Sequence, residues 1–286
     1  MMEVFRTLED IFNFKIIQHE PLSGGSISQV YKLKTNQGDF VLKLNTSDKI
    51  DLFLAEEVGL NTLGNTQSFI IPEVLGVGSI PDFAYLLMEF IPSGKANTTT
   101  FKEFGVKLAH LHSHRAPQFG FASNNYVGTL TQINHLETSW SGFYWKHRIL
   151  PQYQLAVKQS LISKVDIPEE KFFTQVIENE FNETKPSLIH GDLWNGNYII
   201  NAEGKIALID PAVYYGHPMM DIGMAKLFGG FDDEFYEAYR EKTVGTSNWD
   251  TQIELAQYYY LLIHLNIFGR SYLPQVQYIK EKYFNG

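Results

Sequence analysis

The stretch that most constrains this chain is His190-Gly191-Asp192-Leu193-Trp194-Asn195-Gly196-Asn197, followed by two β-rich runs and then Ile209-Asp210-Pro211. The runs are Tyr198-Ile199-Ile200 and Ile206-Ala207-Leu208-Ile209, with the turn formers Asn201-Ala202-Glu203-Gly204 between them. That order predicts a hairpin. The hairpin folds Asp210 back beside Asn197 and the loop that carries Asp192. It gathers a carboxylate to face an acceptor hydroxyl, and an Asn and an Asp to hold Mg²⁺ on a nucleotide's phosphates. Hard oxygen donors suit Mg²⁺, which takes one or two carboxylates together with phosphate and water. Each piece alone reads as ordinary structure, one Asp capping a turn and the other ending a strand. The spaced unit points to a kinase-like site.

The rest of the chain divides once, and the expected fold class is α+β. Up to about residue 91 the pattern is strand-rich; beyond about residue 100 it is mostly helical. Gln29 to Lys34 and Phe40 to Leu44 read as strands around the turn Asn36-Gln37-Gly38-Asp39, and Ala84 to Phe90 reads as a third. Asp51 to Leu63 has helical spacing with Phe53, Leu60 and Leu63 on one stripe. Ile91-Pro92-Ser93-Gly94 is a breaker cluster and marks the expected boundary. Helices are expected near Phe101 to Ser113, Trp140 to Leu150, Glu170 to Phe181 and Gln252 to Phe268. The expected organisation is a nucleotide-binding lobe over 1–91 and a catalytic and acceptor-binding lobe over 92–286, with a cleft between them.

The small lobe supplies further parts of an ATP site. Gly24, Gly25 and Ser26 sit between two strand-like runs, where paired glycines let backbone N–H groups approach phosphate. Lys43 shares its strand face with Val41, while Leu42 and Leu44 face the other way, so its ammonium enters a partly apolar setting and needs an anionic partner. Glu56 lies on the apolar stripe of the following helix and is the expected partner, with Glu57 as the competitor. Met88, Glu89, Phe90 and Ile91, at the end of the third strand, would present backbone groups to an adenine ring.

Composition excludes several classes. With 23 Lys and Arg against 32 Asp and Glu, the net charge is −9 and no basic run appears, which argues against a nucleic-acid partner. There is no cysteine, hence no disulfide framework and no thiolate metal site, which fits a reducing compartment. The N-terminal residues open no apolar run, and the apolar stretch Tyr258 to Phe268 is too short to span a bilayer. A cytoplasmic protein with no membrane partner is expected. His110, His112 and His114 alternate along a helix and do not share one face, so they read as core or surface histidines rather than a metal cluster.

At these residues the sequence resembles the fructosamine kinase (ketosamine kinase) family, within the wider aminoglycoside phosphotransferase and choline kinase group. His190 to Asn197 is similar to the family's His-Gly-Asp-Leu-Trp-x-Gly-Asn signature, with Asn195 where many members carry Ser. Ile209 to His217 matches its long Ile-Asp-Pro-Ala-Val-Tyr-Tyr-Gly-His run, and Leu227 to Phe231 its Leu-Phe-Gly-Gly-Phe. Asn125-Tyr126-Val127-Gly128 with Gln132, Asn134, Trp140 and Phe143 resembles a further family segment. The resemblance implies a protein-kinase-like two-lobed fold and ATP-dependent phosphorylation of a sugar hydroxyl on a ketosamine, in deglycation. It implies Asp192 as the base, Asn197 and Asp210 as Mg²⁺ ligands, and Lys43 with Glu56 as the phosphate clamp. Trp194, Tyr214, Tyr215 and His217 would line the acceptor side, where aromatic faces suit a polyhydroxylated cation.

After His217 the family pattern commonly continues Arg-Glu-x-Asp, whereas this chain has Pro218-Met219-Met220-Asp221. Asp221 is expected to brace the catalytic loop, and Met219 and Met220 to add flexible apolar surface beside the acceptor. Some relatives carry Cys where Ser26 stands. Three readings remain: a ketosamine kinase, a kinase of the same fold acting on an aminoglycoside or choline hydroxyl, and a pseudokinase serving as a scaffold. The joint presence of Lys43, Glu56, Asp192, Asn197 and Asp210 counts against the last. Oligomeric state is not legible.

Overall fold

Apolar alternation in the first ninety residues builds a sheet, and long apolar stripes build the helices after it. The structure is a computed structural model that describes residues 2–22, 28–181, 185–243 and 248–284. In chain order its first elements are α1 (Met2–Phe12), β1 (Ile16–Pro21), β2 (Gln29–Thr35), β3 (Gly38–Thr46), α2 (Ile50–Gly64), β4 (Val74–Ile80) and β5 (Phe83–Glu89). Then come α3 (Thr100–Leu111), β6 (Asn125–Val127), β7 (Leu130–Gln132), α4 (Trp140–Tyr144), α5 (Leu150–Lys158), α6 (Glu170–Phe181) and β8 (Ser187–Ile189). The last are β9 (Tyr198–Ile200), β10 (Ile206–Leu208), β11 (Tyr214–Gly216), α7 (Met219–Leu227), α8 (Asp233–Lys242), α9 (Trp249–Phe268) and α10 (Leu273–Phe284). They form two compact units, Met1–Asn97 with Tyr198–Pro211, and Thr98–Asn197 with Ala212–Gly286.

The first unit is a five-stranded antiparallel sheet in the order β1-β2-β3-β5-β4, clothed on both faces. Successive side chains of a strand point to opposite faces. Leu42 and Leu44 therefore join Leu33 and Leu87 under Val4, Phe5 and Leu8 of α1. Val41, Leu86 and Met88 face the other way, against Phe53 and Leu60 of α2. Lys43 shares that second face, and this is why its ammonium ends up beside α2.

The hairpin β9–β10 belongs to this unit although it lies far downstream in the chain. Leu208 N donates to Ile70 O at 3.0 Å, and Gly94 N donates to Ile200 O at 2.7 Å. A side chain at Gly94 would strike the backbone of Asn201, and its Cβ would stand 2.8 Å from Ala202 Cα. Only a residue without Cβ lets the two backbones meet there.

The second unit is helical. α9 is buried along most of its length, from Gln252 to Asn266, as expected of a core helix. It packs on α7 and α5, while α3 packs on α8. β8 pairs with β11, so Ile189 sits opposite Tyr214 just before the His190 turn. Between α4 and α5 the helix passes through a single π turn, Trp145–Ile149, a local widening that recurs at functional positions.

The Gly94 contact generates a test. Gly94→Val should cost about 1–3 kcal/mol, the scale of overpacking. Hydrogen exchange should show the loss concentrated in β9 and β10, and a parental unfolding midpoint would contradict the docking role.

Candidate functional site

In the first unit, Lys43 of β3 is buried and its ammonium is shared by two carboxylates. Lys43 Nζ lies 2.6 Å from Glu56 Oε1 of α2 and also bonds Asp210 Oδ1, just past β10. Glu56, not Glu57, is the partner. Asp210 has positive φ, 54°, a conformation rare for a residue with a side chain. Burial alone would pull the Lys43 ammonium down, but Asp210 and then Glu56 outweigh it and raise its pKa. Burial pushes Glu56 up to about 7, with Lys43 opposing and Asp210 adding to the rise. One cation thus serves two carboxylates, and with both ionised the group carries a net negative charge that favours a further cation.

The same unit holds the end of β5. Met88 and Ile91 are buried. The Glu89 N–H is taken by Glu73 O at 2.8 Å and the Phe90 N–H by Asp39 O at 3.2 Å. Among the described residues, no acceptor takes the Ile91 N–H. Gly24, Gly25 and Ser26 lie outside the described residues.

In the second unit, the His190–Asn197 loop is held by buried groups. Asp221 of α7 is fully buried, and its two carboxylate oxygens accept His190 N at 2.7 Å and Gly191 N at 2.8 Å. His112 Nε2 stands 3.1 Å from Asp221 Oδ2, and His112 Nδ1 meets the Tyr239 hydroxyl at 2.8 Å. The Tyr260 hydroxyl donates to Gly191 O at 2.9 Å. Gly191 has φ +84°, and a Cβ there would strike the Ala212 carbonyl. Beyond this turn Asn197 Nδ2 donates to Asp192 O at 2.8 Å and to Asp192 Oδ2 at 3.0 Å, fixing the carboxylate.

The expected brace by Asp221 is therefore present. His112 proves to be a core histidine that supports it from behind. Among the described residues no group of three or more His, Asp or Glu is placed to hold a metal by itself. Nothing in the sequence marks Tyr260, which lies in an apolar run.

The four aromatic candidates separate by exposure. Trp194 is 39% exposed, with its ring lying against Gly196, where a Cβ would collide with it. Tyr215 is half-buried. Tyr214 is fully buried under the guanidinium of Arg148, 4.0 Å from its ring centroid. His217 is buried between Trp140 and Phe181, and its Nδ1 accepts Met219 N at 3.1 Å. Met219 and Met220 are core residues of α7, at 4% and 0% exposure, so the expected flexible apolar surface does not exist. A helix that seats Asp221 at its base turns both inward.

The chain matches the fructosamine kinase family over residues 3–285. It is 38% identical to a probable ketoamine kinase of Enterococcus faecium, over 99% of this chain and 100% of that one. The chain belongs to the fructosamine kinase family. Members of this family are ATP-dependent phosphotransferases. A solved structure assigned as a fructosamine-3-kinase, from Haemophilus somnus, superposes with a TM-score of 0.87 at 26% identity, covering 99% of this chain and 97% of that one. A thermostable mutant of an aminoglycoside phosphotransferase, solved in ternary complex with ADP and hygromycin B, superposes at 0.64 with 14% identity, covering 99% and 100%. At that identity the shared property is the protein-kinase-like α+β fold.

His217 yields a pH test. Burial, with smaller pushes from His112 and Arg115, lowers its pKa from the ordinary 6.5 to about 3. The folded ring stays neutral, as its acceptor role requires, while the unfolded ring gains a proton below pH 6.5. Its contribution is fully present above pH 6.5 and is lost as the pH falls towards 3. His217→Gln should therefore lose about 2 kcal/mol less than the parent between pH 6.5 and 5 in urea unfolding. Equal losses in the two proteins would contradict this.

Proposed function

We propose that the protein phosphorylates a sugar hydroxyl of ketosamines, using Mg²⁺·ATP. The observation that carries the reading is the Asp192 loop. A carboxylate is held by Asn197 on a turn whose backbone N–H groups are fixed by the buried Asp221. Such a carboxylate can orient a hydroxyl and accept its proton, and phosphoryl transfer depends chiefly on positioning and charge neutralisation. Asp192 is the proposed base. Lys43 takes nucleotide phosphate and Glu56 keeps Lys43 extended. Ile91 offers its N–H to the adenine edge, with Met88 as an apolar neighbour and Glu89 and Phe90 as backbone support.

The donors fit a hard cation. Asn197 commits its Nδ2 to Asp192, so Oδ1 is the atom it can offer, and Asp210 adds a carboxylate from a group carrying excess negative charge. Asn197 and Asp210 are the residues that would hold Mg²⁺, which would neutralise phosphate charge. Exposed Trp194 and half-buried Tyr215 would meet the acceptor, whose amine is cationic near neutral pH. Tyr214 and His217 would act on it only through the residues they support.

The phosphorylated adduct would decompose and release its amine, which makes deglycation the proposed role. The lack of cysteine suits the cytoplasm. Among the described residues no helix is long and apolar enough to cross a membrane.

ADP release should be Mg²⁺-dependent with fructosamine or ribulosamine adducts of small amines and small with choline or kanamycin. Comparable kcat/KM on kanamycin would move the protein to an antibiotic-type acceptor. Asp192→Asn should keep ATP binding and lower turnover by roughly 10² or more. Parental turnover would remove Asp192 from the role of base.

A further inference from the structure

Arg148 is fully buried in the π turn between α4 and α5, and among the described residues no carboxylate pairs with it. Its Nη1 donates to the carbonyls of Ile133 at 2.6 Å and His147 at 2.9 Å, and its Nη2 donates to Asn134 Oδ1 at 2.6 Å. The faces of Tyr214 and Phe143 lie 4.0 and 4.6 Å away. Burying a guanidinium without an anion is unfavourable, and an apolar side chain would fill the space at less cost. What the guanidinium adds is direction, because it donates hydrogen bonds and never accepts them.

That direction propagates. Asn134 must turn its oxygen to Arg148, so its Nδ2 donates to Asn125 Oδ1 at 2.9 Å and to Ser123 O at 3.1 Å. The same Asn125 oxygen accepts Gln132 Nε2 at 2.8 Å, which leaves Asn125 Nδ2 to donate to Val213 O at 2.7 Å. Gln132 Nε2 also reaches Ala212 O at 3.2 Å, and its oxygen accepts the Tyr259 hydroxyl at 2.9 Å. Reversing any one amide would set oxygen against oxygen. One cation at the start therefore orients three amides that end on two consecutive carbonyls.

Those carbonyls sit at the catalytic loop. Ala212 N donates to His190 O at 2.9 Å, and the Ala212 carbonyl occupies the space a Cβ on Gly191 would need. We infer that Arg148 is a positioning residue that, through Asn134, Asn125 and Gln132, holds the Ala212–Val213 backbone against the His190–Gly191 turn and so sets Asp192. The catalytic consequence rests on the kinase reading above; the ordering of the loop does not.

Asn134→Asp separates the relay from packing. It gives Arg148 a carboxylate at unchanged volume, but presents oxygen to Asn125 and to the Ser123 carbonyl and so reverses the relay. Arg148→Met removes the cation at similar volume. Amide exchange followed by mass spectrometry should be about tenfold faster at residues 190–193 and 212–214 in Asn134→Asp, with the rest of the chain near the parent's rate. For the same variant, kcat for ADP release should fall about tenfold or more while KM for ATP holds. Arg148→Met should match it, and if it fails to fold, Asn134→Asp decides alone. Parental exchange at these peptides in Asn134→Asp would overturn the proposal, as would faster exchange spread evenly over the chain with a lowered Tm. Loop loosening with no ADP release from the parent on any acceptor would support the positioning role while removing the kinase reading.

Discussion

One buried ammonium shared by two carboxylates is the interaction on which the first unit depends. Lys43 draws together β3, α2 and the segment after β10, three pieces that no stretch of local sequence would unite. Its position follows from strand alternation, which puts Leu42 and Leu44 under α1 and Lys43 over α2. Burial raises the Glu56 pKa towards neutral pH, the second carboxylate, Asp210, adds to that rise, and the shared ammonium opposes it. Such a group is tolerated where a ligand brings further positive charge and an anion for the lysine.

The second unit solves a different problem, which is to hold a loop carboxylate still. It does so with buried polar groups that point at backbone rather than at any ligand. Asp221 fixes two N–H groups, Tyr260 one carbonyl, and the amide relay two more carbonyls. Asp221 and Tyr260 lie on helices and Asn125 and Gln132 on a short hairpin, with His112 standing behind Asp221 and Asn134 behind Asn125. A reaction whose barrier is lowered by positioning needs this kind of support.

Much of this was legible in the sequence, for identifiable reasons. The His190–Asp210 spacing read directly as loop, hairpin and second carboxylate, and Glu56 betrayed itself as a charge on an apolar stripe. Arg148 carries the same signal, standing four and eight residues beyond Tyr144 and Trp140, and went unread. The helix α1 and the strand β4 were not read either. The apolar stripe Val4, Phe5, Leu8 and Phe12 of α1 is present in the sequence, whereas Gly76 and Gly78 interrupt the pattern of β4. The aromatic run Tyr214-Tyr215 gave identities but not facing. Pairing of β11 with β8 turns Tyr214 inward and leaves Tyr215 half-exposed. Docking of β9–β10 on Ile70 and Gly94 depends on residues far upstream, which no local pattern records.

Phosphorus NMR of a reaction with a fructosamine adduct separates phosphoryl transfer to the sugar from hydrolysis of ATP. A new phosphomonoester resonance on the ketosamine should appear in step with ADP and require Mg²⁺. ADP accompanied only by inorganic phosphate, or an unchanged ATP spectrum in the presence of every ketosamine offered, would contradict it.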